Sequence, residues 1–532
     1  MYTINRITEN HRKIKHFQMI RGLTIMMLVY IIHTMSFIRK IKRGNSIYLA
    51  EVENHWVDGR VVQKHLRYVG KEVDNKPFLT GPVERAEVDK VTIFGPLLVL
   101  NEIAQELDLA SLLGDYGAYL LSLAYAHCIA PDSLAGIADW YQKTEIMNLL
   151  ELPEISYKKL LEAIDSVEDL VGVQRRIFAR LKRTLALKPS GYFYDITNVY
   201  FYGRCCPLAK RGHNPDGRRD PQIQIGLAVT RNEGLPIFHK VYEGHIFDSK
   251  TLPDVLREIG EVKEVTLVWD RGVSSKLNIR EARGAGFEVL CGLALNPGLK
   301  KEADRVLGDK IVSLKHRVRL KSATFYVYRK RYRAEGVSGY IAVCLNERER
   351  QATRERRYDE LDRAQKLLAE KKPIKEGLKK YFQGREIDQD AVRKAERYDG
   401  FSVIFSSENL STEEMVKGYF EKDRVEKSFR CLKGVLEMDK VRFWLANRVR
   451  GHIFICYLAY LLLSVLEYKI KEIGFTGPEA LATLESMYRV YLSDPKSKNR
   501  FVKTVTLSKA QEEILKKVNP LLLDKHIVHK SG

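Results

Sequence analysis

The chain has only seven cysteines and four tryptophans in 532 residues. Cys128, Cys205, Cys206, Cys291, Cys344, Cys431 and Cys456 form no C-x2-C pair, and no histidine stands at zinc-finger spacing. This argues against a structural zinc site and against a redox role for the adjacent Cys205 and Cys206. Scattered thiols fit a reducing compartment, so a cytoplasmic location is expected. No apolar run reaches the roughly 20 residues that a membrane helix needs. The run from Arg21 to Met35 is too short, and no small-residue cleavage site follows it. The apolar run after Asn447 reads as a buried helix. There is no internal repeat and no strongly amphipathic basic helix, so no membrane partner is expected. Acids are also scarce: 68 Asp plus Glu face 89 Lys plus Arg, a net charge of +21. A basic excess of that size points to a polyanion, nucleic acid before a membrane surface.

With 45% apolar and 10% aromatic residues, the chain is a folded protein. Residues 1–34 read as an upstream extension, because Met35 opens a clean start. Residues 35–85 alternate in short runs broken by Asn and Gly, a small β-rich module. Residues 86–187 carry three- and four-residue apolar spacing and end in "RRIFARLKR", a helical module expected to bind DNA. Residues 188–295 run β-β-β-α-β-α-β: three strands ("GYFYDITNVYF", "QIQIGLAVT", "LPIFHKVYEG"), then alternating helices and strands. That order is the ribonuclease H-like arrangement, a mixed α/β core. Residues 296–399 interrupt it with basic strands and a charged helix, a β-rich insertion domain. Residues 400–475 return to the core, with an amphipathic helix from Ser411 to Lys433 capped by Ser411 or Thr412. Residues 476–532 are read as a helical region.

Three acids fall on this framework. Asp195 lies mid-strand among aromatic and β-branched residues, where a lone carboxylate is costly to bury. Asp270 ends an apolar strand, and Glu426 lies beside Val425 and Phe429 on a later helix. In a ribonuclease H-like sheet the first and fourth strands are neighbours and a following helix covers them, so the three converge. Clustered carboxylates repel and raise one another's pKa. With two divalent ions between them they form a clamp for phosphoryl transfer. Oxygen ligands favour Mg²⁺ or Mn²⁺. Singly, each acid also fits a plain cap or surface role. His213 and His245 read as structural or DNA-facing.

The segment "YFEKDRVEKSFRCLK" carries a spacing Y-x2-R-x3-E-x6-K on Tyr419, Lys422, Glu426 and Lys433. With "YDITN", "VWDRG" and "GHIFDSKTL", it resembles the insertion-sequence transposases of the DDE superfamily that carry a Tyr-Arg-Glu-Lys signature. Lys422 departs from that pattern, keeping charge but losing a bidentate fork; Arg424 or Arg430 is a candidate to compensate. The resemblance implies metal-dependent cleavage of double-stranded DNA at terminal inverted repeats, then strand transfer into target DNA. It also implies a homodimer on DNA, nucleoid association and second-strand cleavage through a hairpin. Tyr419, Lys422, Arg430, Lys433 and Arg271 are the expected phosphate contacts.

Relatives that form hairpins stack a flipped base on an aromatic residue. None of Trp56, Trp140, Trp269 and Trp444 lies in the insertion, so the role falls to "TFYVYRKRYR", on Tyr326 or Tyr328. Strand alternation puts Tyr326, Tyr328 and Tyr332 on one face, opposite Phe325. A ribonuclease H-like nuclease without strand transfer, and a non-catalytic DNA-binding repressor, are the competing readings. Residues 35–187 and the basic insertion strands are expected to supply most of the DNA affinity. Titrating DNA binding against salt checks the charge argument: affinity should fall steeply, whereas a flat response contradicts it.

Overall fold

The computed structural model describes residues 36–43, 46–57, 60–73, 76–78, 86–167, 170–201, 205–212, 220–259, 265–308, 311–321, 323–493 and 500–523. The extension 1–34, the run from Arg21 to Met35 and His213 lie outside them. The chain divides into two compact units. The smaller contains a four-stranded antiparallel sheet, Ser36–Arg43, Ser46–Val57, Arg60–Val73 and Lys76–Phe78. Alternating runs separated by Asn and Gly in the sequence favour this meander.

The larger unit is built on a nine-stranded mixed sheet. Its strands are β1 (Gly191–Tyr200), β2 (Gln222–Thr230), β3 (Pro236–Glu243), β4 (Val265–Trp269), β5 (Phe287–Leu293), β6 (Arg317–Arg319), β7 (Thr324–Ala334), β8 (Val337–Leu345) and β9 (Phe401–Ser406). In space they run β6-β7-β8-β9-β5-β4-β1-β2-β3. β1, β2 and β3 form an antiparallel meander, while β4 lies parallel to both β1 and β5. The helices Leu252–Ile259 and Lys276–Gly284 make the crossovers. β2 is buried along its whole length.

Alternation splits β1 between two cores. Phe193 and Val199 join one apolar cluster with Val425, Phe429 and the long helix Ala446–Ile470. Tyr192 and Tyr194 join the other, with Val255 and Ile279 from the crossover helices. The sheet is therefore covered on both faces, which explains why its strands read as near-continuous apolar runs.

Three sequence expectations are revised. The basic strands of residues 296–399 make no sheet of their own: β8 pairs with β9, which pairs with β5, so β6, β7 and β8 extend the main sheet. Among the described residues of this span, only the short strands Phe382–Gln383 and Glu386–Ile387 pair apart from it. The helices of residues 86–187 share the larger core with β1 and β2. Residues 476–532 include the strands Tyr488–Ser493 and Arg500–Thr504. In each case the pattern gave the local element and not its partner, because pairing is a long-range property.

The helix Ala446–Ile470 is long and apolar enough to cross a bilayer, yet 89% of its apolar window is buried inside the fold. It packs on the helices Gly95–Glu106, Gly117–Ile129 and Tyr157–Asp165 and on β3. Leu462 is fully buried there. Replacing it with Ala should cost about 2–5 kcal/mol from lost transfer energy and a residual cavity. Urea unfolding reads this; a loss under about 1 kcal/mol would mean the helix is not central to the core.

Candidate active site

The register of β1 against β4 sets the two aspartates side by side. Tyr194 stands beside Trp269 in this parallel pair. The next residues along are Asp195 and Asp270, on neighbouring strands about 4.8 Å apart. Asp195 shares the face of Phe193, the face covered by the glutamate helix. Asp270 follows the last residue of β4, where the chain turns out of the sheet.

The continuous helix expected over Ser411 to Lys433 is broken into three pieces. Thr412–Phe420 begins with a capping box between Ser411 and Glu414. Asp423–Arg430 follows after a turn, and Cys431–Val435 widens into a π-helical turn. Tyr419 before the break and Lys422 within it both face Asp270. The Tyr419 hydroxyl donates to Asp270 Oδ1 at 2.6 Å. Lys422 Nζ lies 3.0 Å from the same oxygen and 3.9 Å from Glu426 Oε1. Lys422 thus ties the second acid to the third, and its ammonium also sits over the Tyr419 ring, 5.1 Å from the centroid.

The electrostatics fit a closely gathered set of acids. Burial pushes the Asp195 carboxyl up to about 7, and the charges of Asp270 and Glu426 add to the rise. The Ile196 N–H and Lys422 pull the other way. Asp270 is also penalised by burial, but Lys422, the Tyr419 hydroxyl and the Arg271 N–H together hold it below its usual value. Burial, then the Asp270 charge, drives the Tyr419 phenol far above its ordinary pKa, so it stays a proton donor.

The other residues singled out from sequence are scattered around this cluster. Lys433 Nζ donates to the backbone oxygen of Asn198 at 2.8 Å, three residues beyond Asp195 on β1. The Arg271 side chain is exposed. Neither candidate to compensate for Lys422 reaches the acids. Arg424 donates to the backbone oxygen of Asn232, and Arg430 pairs with Asp423 at 3.4 Å. On β7, Phe325 stacks on Phe420, while Tyr326 and Tyr332 pack against the second core and Tyr328 is exposed. His245 pairs with Glu243 at 3.5 Å. The "GHIFDSKTL" segment braces β1 and β2: Tyr194 donates to Thr251 at 2.9 Å, and Gln224 to Asp248 at 3.1 Å.

Sequence reading missed a buried cluster, His127, His452 and Cys456. The thiol lies 4.0 and 3.9 Å from the two imidazoles. The same nitrogens already meet the backbone oxygens of Leu436 and Met438 at 2.9 and 3.3 Å. A metal on those lone pairs would collide with the carbonyls. Burial lowers both imidazole pKa values, that of His452 to about 3. The cluster is a neutral hydrogen-bonded network.

The model of one protein family, the transposase DDE domain, matches residues 187–462. The chain belongs to the transposase DDE domain family. No curated protein matches it. Among solved structures, the cryo-EM structure of the piggyBac transposase synaptic complex with hairpin DNA is similar at 11% identity. The likeness covers 74% of this chain and 80% of that one, with a TM-score of 0.38. The matched span takes in β1 to β9, Asp195, Asp270, Glu426 and most of the long core helix.

If Lys422 neutralises the acids of this DDE domain, Lys422→Gln should lower the stability of the metal-free protein. A partly buried pair of this kind is worth about 1–3 kcal/mol. Added Mn²⁺ should then raise the Tm of the variant more than that of the wild type. Equal metal-free stability, or a smaller Mn²⁺ gain in the variant, contradicts that role.

Proposed function

We propose that this chain is a DNA transposase of the cut-and-paste type, with Asp195, Asp270 and Glu426 as its catalytic acids. The observation that carries the reading is the side-by-side placement of Asp195 and Asp270 at neighbouring parallel strands, joined to Glu426 through Lys422. The order β3-β2-β1-β4-β5 supports a ribonuclease H-like core, with β6, β7 and β8 as the inserted element.

The donor set fits divalent ions. It offers hard carboxylate oxygens, one of them held protonated towards neutral pH by burial and its neighbours, and it already draws in the Lys422 ammonium. Asp195, Asp270 and Glu426 would hold Mg²⁺ or Mn²⁺, in the two-ion arrangement common to such chemistry. When bound, the ions supply Lewis acidity at the attacking and leaving oxygens of a phosphodiester. The chain's own residues then position and screen. Tyr419 and Lys422 fix Asp270, Lys433 presents a cation beside β1, and the apolar shell of Val425 and Phe429 excludes water behind the acids.

The substrates are double-stranded DNA: the terminal inverted repeats of the element, then target DNA. The net charge of +21 supports this, as do Arg317, Arg319, Lys321 and Arg348 around an open groove beside Tyr326. In this reading Tyr328, exposed on β7, is the better placed of the two tyrosines to stack a flipped base. The assembly on DNA is a homodimer in the cytoplasm, associated with the nucleoid.

The test is cleavage of end-labelled terminal DNA by full-length protein in Mn²⁺. Asp195→Asn, Asp270→Asn and Glu426→Gln should each lose about a thousandfold in rate, equivalent to several kcal/mol of transition-state stabilisation, while still binding DNA. Wild-type cleavage by any of them overturns the assignment. Cleavage without joined products would favour a nuclease, and DNA binding without cleavage a repressor.

A further inference from the structure

The helix Thr412–Phe420 lies unusually close to β5, and a glycine on each element makes this possible. A Cβ on Gly418 would stand 2.7 Å from Arg231 Nη2 and 2.9 Å from Leu290 Cδ2. A Cβ on Gly292 would stand 2.4 Å from the Tyr419 hydroxyl, 3.0 Å from its Cζ and 3.2 Å from the Arg271 backbone nitrogen. Both distances to the phenol are shorter than a side chain tolerates without a shift. Neither glycine has a positive φ, so both are kept for space and not for backbone conformation. Beside them, Arg231 meets Glu421 at 3.2 Å, fixing the end of the same helix to the turn after β2.

We propose that Gly292 is a positioning residue for the second catalytic acid. Its bare Cα opens the slot through which the Tyr419 hydroxyl reaches Asp270 at 2.6 Å, and this brace sets the carboxylate for a divalent ion. The idea rests on the assignment of Asp270 as a metal-holding acid and adds a role for Tyr419 other than DNA contact. The hydrogen bond takes up one lone pair of Oδ1 and leaves Oδ2 unconstrained by the phenol. Lys422, packed over the Tyr419 ring, approaches the same Oδ1. Both groups thereby anchor Oδ1 and set the orientation of the carboxylate. Outer hydrogen-bond partners of metal-holding carboxylates typically change metal affinity by about 10- to 100-fold.

The experiment is calorimetric titration of full-length, DNA-free protein with Mn²⁺, followed by DNA cleavage. Tyr419→Phe keeps the ring and removes the hydroxyl, and should weaken Mn²⁺ binding about tenfold or more. Gly292→Ala should weaken it by a similar factor, because its methyl displaces the phenol. The decisive variant is the double one. Once the hydroxyl is gone, adding Gly292→Ala should change Mn²⁺ affinity by less than about threefold, since both changes break one contact. A tyrosine serving only as a DNA contact would leave DNA-free Mn²⁺ binding untouched, and that result overturns the proposal. Independent, multiplying losses in the double variant overturn it too. If Gly292→Ala fails to fold, Tyr419→Phe alone decides. Wild-type Mn²⁺ affinity in Asp270→Asn would instead remove the assignment of Asp270, a failure distinct from that of the brace.

Discussion

The structure depends on the parallel pairing of β1 with β4. Because Tyr194 stands beside Trp269, Asp195 and Asp270 are forced together at one point of a sheet covered on both faces. A shift of one residue would turn every side chain of β1 to the opposite face and send Asp195 into the second core. The register is held by large buried residues on both strands, Phe193, Tyr194, Leu267, Val268 and Trp269. Apolar packing thus fixes the placement of two charges that would otherwise separate.

Gathering acids carries an electrostatic penalty, visible in the raised Asp195 pKa, and the fold offsets it locally. Lys422 supplies positive charge, Tyr419 and the Arg271 N–H supply hydrogen bonds, and Asp270 stays ionised as a result. Asp195 has less of this help. One acid is thus ionised and ready while its neighbour gains its charge fully only when further positive charge arrives. The interrupted helix serves the same end, because Tyr419, Lys422 and Glu426 stand at i, i+3 and i+7 and so share the face turned to Asp270.

Much of this was legible in the sequence because it is local. The β-β-β-α-β-α-β order of residues 188–295, the Ser411 cap and the three acids all follow from periodicity, breakers and residue chemistry. The burial of the apolar run after Asn447 followed from its length. The rest depended on contacts far apart in the chain. β8 finds β9 across more than fifty residues, so the basic strands joined the main sheet instead of standing apart. Gly292 and Gly418 looked like ordinary strand and helix glycines, and only their approach to Tyr419, Leu290 and Arg231 gives them meaning. Lys422 read as a weakened signature position. The geometry instead uses the reach of a lysine to join two acids, and Arg424 and Arg430 have other partners. His452 and Cys456 are four residues apart on one helix, but His127 joins them from a helix more than 300 residues earlier.

The most direct measurement is anomalous X-ray scattering from crystals of the full chain soaked in Mn²⁺. The account predicts manganese density among Asp195, Asp270 and Glu426. Density absent from that position, or found instead between His127, His452 and Cys456, would contradict it.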